Sequence, residues 1–207
     1  MKKIISLLLA LACVIACAFA FTACGEEETP EEPTYTPTYA ELSAPFITAY
    51  NAAVATNMKA TVTLGTSEGE LTSVYTITKN EDGTTTIDYS IEKFAGLNTA
   101  DEKEYETGAI TSDAQGNYSD NGAISGKIGA KGVAVDLDNE KITNYSVSGK
   151  TLRITVKADD TASVLGTALP SEAVVVVTLE GTAVASITLN YTDAAANTVK
   201  IVCEYNI

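Results

Sequence analysis

Residues 173–205 read AVVVVTLEGTAVASITLNYTDAAANTVKIVCEY, and this stretch decides the fold. Three runs rich in Val, Ile, Thr and Tyr predict three consecutive strands over 173–179, 184–191 and 198–205. Val174 to Val177 shows no alternation, which predicts a strand buried on both faces. Cys203 alternates with Val202 and Glu204 and reads as a small buried apolar side chain rather than a reactive thiol.

The same period of two extends back toward the N-terminus. Leu152 to Lys157 and Ile142 to Ser148 flank the turn Ser148-Gly149-Lys150. Lys103 to Ser112 leads into Asp113-Ala114-Gln115-Gly116-Asn117, a turn by composition. Thr84 to Glu92 and Leu71 to Lys79 enclose Asn80-Glu81-Asp82-Gly83, a hairpin signal. Ser67-Glu68-Gly69-Glu70 turns a strand begun by Thr61, Val62, Thr63 and Leu64. Val133, Val135 and Leu137 alternate before Asp138-Asn139-Glu140, whereas 120–131 is glycine-rich without a clean period. Asp159 or Asp160 is placed to cap one helical turn through Val164 and Leu165, ended by Gly166. Only one longer helix is expected. Ser43 is its expected cap and Pro45 falls in its first turn. Phe46, Ile47, Tyr50, Val54 and Met58 follow at helical spacing, with an end near Asn57.

The fold class is therefore α+β and mainly antiparallel β. About nine strands form a curved sheet or incomplete β-barrel, with one N-terminal helix on its concave side. The domain spans 40–207 and buries about 70% of its surface without a disulfide.

What precedes it is an address and a spacer. Lys2 and Lys3 are followed by an uncharged apolar run from Ile4 to Phe21, the parts of a secretory signal over 1–23. The sequence Phe21-Thr22-Ala23-Cys24-Gly25 resembles the bacterial lipobox, which implies cleavage before Cys24 and its lipidation. Phe21 departs from the usual Leu. Val14-Ile15-Ala16-Cys17 fits the pattern as well, but cutting there leaves the apolar segment 18–23 on the mature arm, so Cys24 is the expected site. Each buried methylene contributes about 0.8 kcal/mol, and two or more acyl chains make a stable tether. The protein is then expected outside the cytoplasm, anchored to the outer face of the cell membrane. Residues 25–38, GEEETPEEPTYTPT, belong to an acidic Pro-rich linker over 24–39. At about 3.1 Å per residue the linker holds the domain roughly 40 Å from the surface.

Composition excludes whole classes of function. With Lys2 and Lys3 removed, 11 basic side chains face 27 acidic ones, a balance of −16. Such a chain lacks the basic footprint that nucleic acid requires. Histidine is absent, which removes the commonest general base and zinc ligand and every Ser-His or Cys-His mechanism. Tryptophan is absent too, and with it the usual platform for stacking sugars. Asp136, Asp138, Asn139 and Glu140 have the alternating oxygens of a calcium loop. Lys141, however, stands where that loop needs glycine, so a charged turn is the reading. Asp101, Glu102, Glu104 and Glu106 read as a solvated acidic loop. No catalytic residue, metal ligand or cofactor is expected.

A lipobox, an acidic spacer, one helix and an antiparallel meander, in that order, resemble the LolA/LppX-like carrier group of bacterial lipoproteins. The likeness is greatest over Leu152–Val156, the turn Ser163-Val164-Leu165-Gly166 and the closing strands 174–179, 183–191 and 198–205. The resemblance implies an apolar cavity between helix and curved sheet that takes acyl chains, with no catalytic residues. The sheet's share of that cavity is expected from Val62, Leu64, Val74, Ile77, Ile87, Tyr89 and Ile91, and the helix's share from Phe46, Tyr50 and Val54. Two functions stay open at this point. One is a membrane-tethered protein binding a lipid or other apolar small molecule. The other is a structural or protein-interaction module of the envelope with a fully packed core. Oligomeric state is not legible.

Overall fold

The computed structural model describes residues 36–94 and 103–205. The signal, Cys17, Cys24, most of the linker, Asp101 and Glu102 lie outside the described residues. Thr38–Ile207 forms one compact unit, and the described hydrophobic core, from Phe46 to Cys203, lies wholly within it.

Nine strands make a single curved, unclosed antiparallel sheet. They are β1 (Met58–Thr66), β2 (Gly69–Lys79), β3 (Thr85–Phe94), β4 (Lys103–Thr111), β5 (Asn144–Ser148), β6 (Thr151–Val156), β7 (Ala173–Glu180), β8 (Ala183–Thr192) and β9 (Thr198–Tyr205). Their order is β4-β3-β2-β1-β9-β8-β7-β6-β5. Two meanders, β1–β4 and β5–β9, are thus joined where the first strand pairs with the last, from Met58 opposite Tyr205 to Gly65 opposite Thr198. Short turns join β1 to β2, β2 to β3, β5 to β6, β7 to β8 and β8 to β9, whereas 157–172 connects β6 to β7. The long segment 112–143 links the two meanders.

The helix α1 (Tyr39–Ala53) starts one turn earlier than the sequence suggests. Thr38 and Glu41 form a capping box, in which the Thr38 N–H donates to the Glu41 carboxylate at 2.8 Å. Two helix-end donors are satisfied reciprocally that way, and Ser43 cannot compete. Ser43 is instead buried within the helix, and Pro45 lies in its interior. Phe46, Ala49 and Ala53 form the buried face, which packs on β7 and β8. Met58, assigned to the helical stripe by spacing, opens β1 instead.

The strand expected to be buried on both faces is not. In β7, Ala173, Val175 and Val177 are buried while Val174 and Val176 are half-exposed. A run of valines hides the pleat from a sequence reading but cannot abolish it, because successive Cβ atoms point to opposite faces. Residues 133–137 show the converse. Val133, Val135 and Leu137 are buried in alternation, yet the segment joins no strand. Its backbone is satisfied from elsewhere. The Val135 N–H donates to the Tyr50 hydroxyl at 3.0 Å, the Asp136 N–H donates to the Val164 carbonyl at 2.7 Å, and the Tyr39 hydroxyl donates to the Leu137 carbonyl at 2.8 Å.

The expected single turn is present as α3 (Thr161–Leu165), ended by Gly166 with φ +64°. Asp160 occupies the cap position but makes no capping bond; its carboxylate pairs with Lys141 at 3.1 Å. Thr161, fully buried, stitches the turn. Its hydroxyl donates to the Ala158 carbonyl and accepts the Leu169 N–H, both at 2.8 Å. Thr161→Val keeps the shape and strands a buried N–H. A loss of about 1–2 kcal/mol is expected, read as a lower urea midpoint with an unchanged slope.

Candidate functional site

The inner face of the sheet follows from the register. Ala60 opposes both Tyr75 and Cys203, Val62 opposes Ser73 and Ile201, and Leu64 opposes Leu71 and Val199. On β3, Ile87, Tyr89 and Ile91 oppose Ile77, Tyr75 and Ser73. Six of the seven sheet positions predicted from sequence therefore share this face. Val74 does not. It lies on the outer face opposite Thr61 and Ser90, because on a strand two residues separated by an odd number cannot share a face. Its neighbour Tyr75, 3% exposed, takes the inner position instead.

Across this face runs the glycine-rich segment, the feature that sequence periodicity could not place. It contains a short helix, α2 (Ile128–Lys131), packed on β1 and β2. The contact is close at Gly129, where a Cβ would stand 2.6 Å from the Tyr75 ring and 2.7 Å from Val62 Cγ2. Only a glycine lets the helix backbone approach the sheet this closely. Upstream, the Asp120 carboxylate gathers the loop. It accepts the Ser125 hydroxyl at 2.6 Å, the Ile124 and Ser125 N–H groups at 2.7 Å and the Gly122 N–H at 3.1 Å. The Ser125 hydroxyl and then these amides hold its carboxyl well below the usual carboxylate range.

A carboxyl whose folded pKa is depressed stabilises the fold above its unfolded value, about 3.9, and that contribution is lost as pH falls through the folded value. Asp120→Asn is therefore expected to lower stability by a constant amount above about pH 5 and by progressively less toward about pH 2. Urea titrations of both proteins across that range check the prediction. Parallel acid limbs would refute it.

The segment divides the concavity into two open-sided grooves. The first, about 430 Å³, has a floor of Met58, Ile77, Ile87 and Val133, with Tyr50 and Val54 on the helix side. The second, about 410 Å³, is lined by Val62, Leu64, Tyr75, Ile91 and Ile201, with Glu92, Lys127 and Asp193 also on its wall. The predicted residues are thus split between them. Tyr50, Val54, Ile77 and Ile87 border the first groove and Val62, Leu64 and Ile91 the second. Phe46, 2% exposed, is core and borders neither. Tyr89 also borders neither; its ring lies across Gly108 of β4, where a Cβ would stand 2.6 Å from the hydroxyl. Val54, expected to pack, is 56% exposed at the groove edge. Tyr118, Gly126 and Ala130 on the first groove escaped sequence reading, because irregular glycine-rich chain carries no periodic signal.

Nucleophilic chemistry has little footing. Cys203 is fully buried on β9, and burial pushes its thiol up to about 11, with the Val133 backbone opposing weakly. A thiol held neutral there is a packing group. The Asp136–Glu140 segment is a turn in which the Asn139 side-chain amide donates to Asp136 at 3.0 Å and to the Ser163 hydroxyl at 3.1 Å. Among the described residues no group of three His, Cys, Asp or Glu side chains is placed to hold a metal ion. Likewise no described helix is long and apolar enough to cross a membrane. The Glu106 carboxylate is paired with Lys93 between adjacent strands.

No family model matches the chain, and no curated protein matches it. Among solved structures the fold is similar to that of LprF from Mycobacterium bovis, with 11% identity and a TM-score of 0.44 over 82% of this chain and 94% of that one. The dehydratase domain from the CurF module of curacin polyketide synthase is more distantly similar. It has 6% identity and a TM-score of 0.20 over 83% of this chain and 84% of that one. An inactive H996F mutant of the CurK dehydratase aligns at 6% identity and a TM-score of 0.18, over 81% and 80%. None of these likenesses bears on function, for which the grooves are the guide.

Proposed function

We propose that this protein is a non-enzymatic extracytoplasmic lipoprotein, tethered through Cys24, that holds a lipid or other apolar ligand against the inner face of its sheet. The observation that carries the reading is the first groove. Its volume of about 430 Å³ falls in the range of small-molecule sites, roughly 300–1,000 Å³. Its lining combines a nearly buried aliphatic floor of Met58, Ile77, Ile87 and Val133 with the polar side chains of Lys79, Thr85 and Lys131. The absence of histidine from the whole chain supports a binding role over hydrolysis.

Two measurements test the proposal. Mass spectrometry of lipids copurifying with residues 25–207, which contain the complete compact unit, is expected to find a recurrent bound species; consistent absence counts against ligand carriage. Metabolic labelling of the full chain with an alkyne fatty acid is expected to mark the wild type and Cys17→Ala but not Cys24→Ala. The close seating of Gly129 on Tyr75 favours a second reading, an envelope module whose interior is packed. A domain without copurified lipid whose stability is indifferent to added lipid would support it.

A further inference from the structure

Charge is unevenly placed around the first groove. The chain carries 27 acidic and 13 basic side chains, yet no carboxylate lines this groove, whereas Lys79 and Lys131 do. Neither lysine forms an ion pair among the described residues, where the pairs are Lys93–Glu106, Lys103–Glu92 and Lys141–Asp160. The Lys79 ammonium donates to the hydroxyl of Thr85, another lining residue, at 3.4 Å. The second groove differs, since Glu92 and Asp193 line it beside Lys127. On a surface this acidic, two unpaired ammonium groups beside an aliphatic floor create a local reversal of potential. A groove with one sign of charge and low-dielectric walls concentrates the opposite charge. Tyr118 and Tyr205 add hydroxyls to the same wall, whereas the Ser125 hydroxyl is committed to the Asp120 carboxylate behind the lining.

We infer that the first groove takes an anionic single-chain amphiphile, its tail along Tyr50, Val54 and Tyr118 over the buried floor of Ile77 and Ile87, and its carboxylate or phosphate head between Lys79 and Lys131. This deepens the proposed function and rests on it. The shared chemistry is an anionic head on one acyl tail.

The test uses residues 25–207 at pH 8 with cis-parinaric acid as the fluorescent probe. Palmitate, palmitoyl lysophosphatidate and uncharged methyl palmitate serve as competitors. Displacement by one or both anionic competitors, with methyl palmitate at least about tenfold weaker, is expected. Displacement by palmitate alone assigns a carboxylate head, by lysophosphatidate alone a phosphate head. The double variant Lys79→Gln/Lys131→Gln should lose about tenfold in affinity for the anionic competitors while methyl palmitate binding stays unchanged. Lys79→Arg/Lys131→Arg should retain the anionic preference and guards against a folding defect. Equal binding of methyl palmitate and palmitate, unaltered in the glutamine variant, would overturn the inference and leave the apolar-ligand reading standing. No binding of any amphiphile would overturn both.

Discussion

Phe46→Ala is expected to lower the unfolding free energy by about 3–5 kcal/mol, the range for emptying an aromatic site in a close-packed core. Phe46 is 2% exposed on the face of α1 that packs on β7 and β8. The strands beneath it are formed by Val175, Val177, Ile187 and Leu189, all essentially buried. Val175, Val177 and Ile187 are β-branched and stiff at χ1, so they cannot swing into the space a lost ring leaves. For a domain of this size each kcal/mol shifts the melting temperature by roughly 2–4 °C. Urea titration and thermal melting of the same variant therefore check the prediction twice. A loss below about 1 kcal/mol would mean that α1 contributes little to the core.

Gly129→Leu is expected to be the most damaging change on α2, for a reason that runs against helix propensity. Gly129 does not have the positive φ seen at Gly132, so the backbone tolerates a side chain. Helix propensity alone favours replacing glycine by about 1 kcal/mol. The Cβ, however, would stand 2.6 Å from a Tyr75 ring that is itself 3% exposed and cannot retreat. Overpacking of this kind costs about 1–3 kcal/mol, and a branched side chain lies toward the upper end. Gly129→Ala places the same Cβ against Tyr75 and Val62 and should already destabilise, toward the lower end of that range. Displacing α2 also alters the grooves on both sides of it, so Gly129→Leu should weaken amphiphile binding by more than its stability loss alone would. Stability and affinity measured on the same preparations separate the two. A stable Gly129→Leu protein would show that α2 is not held against the sheet.

The alternating strands were legible because each rests on local pattern. The strands over 71–79, 184–191 and 198–205 fall close to their predicted limits, since turn residues bound them on either side. Errors arose where two local signals competed. Ser43 before Pro45 looks like a helix start, and Thr38 with Glu41 outbids it by satisfying two donors at once. Val74 and Ile77 were both assigned inward because both are apolar and β-branched, although three positions separate them and the pleat forbids it. The valine run at 174–177 concealed a pleat that the structure displays plainly.

By itself the sequence determined the class of fold, the inward parity of β1 and β3 and the exclusion of histidine-based chemistry, all of which follow from composition and short-range period. Only the tertiary structure decided the site. Residues 112–143 carry too many glycines to show a period, and their course over the inner face depends on close approaches at Gly129 to side chains more than fifty positions away. That course divides one expected concavity into two grooves. It also brings Lys131 to the same groove as Lys79, a juxtaposition no local pattern encodes.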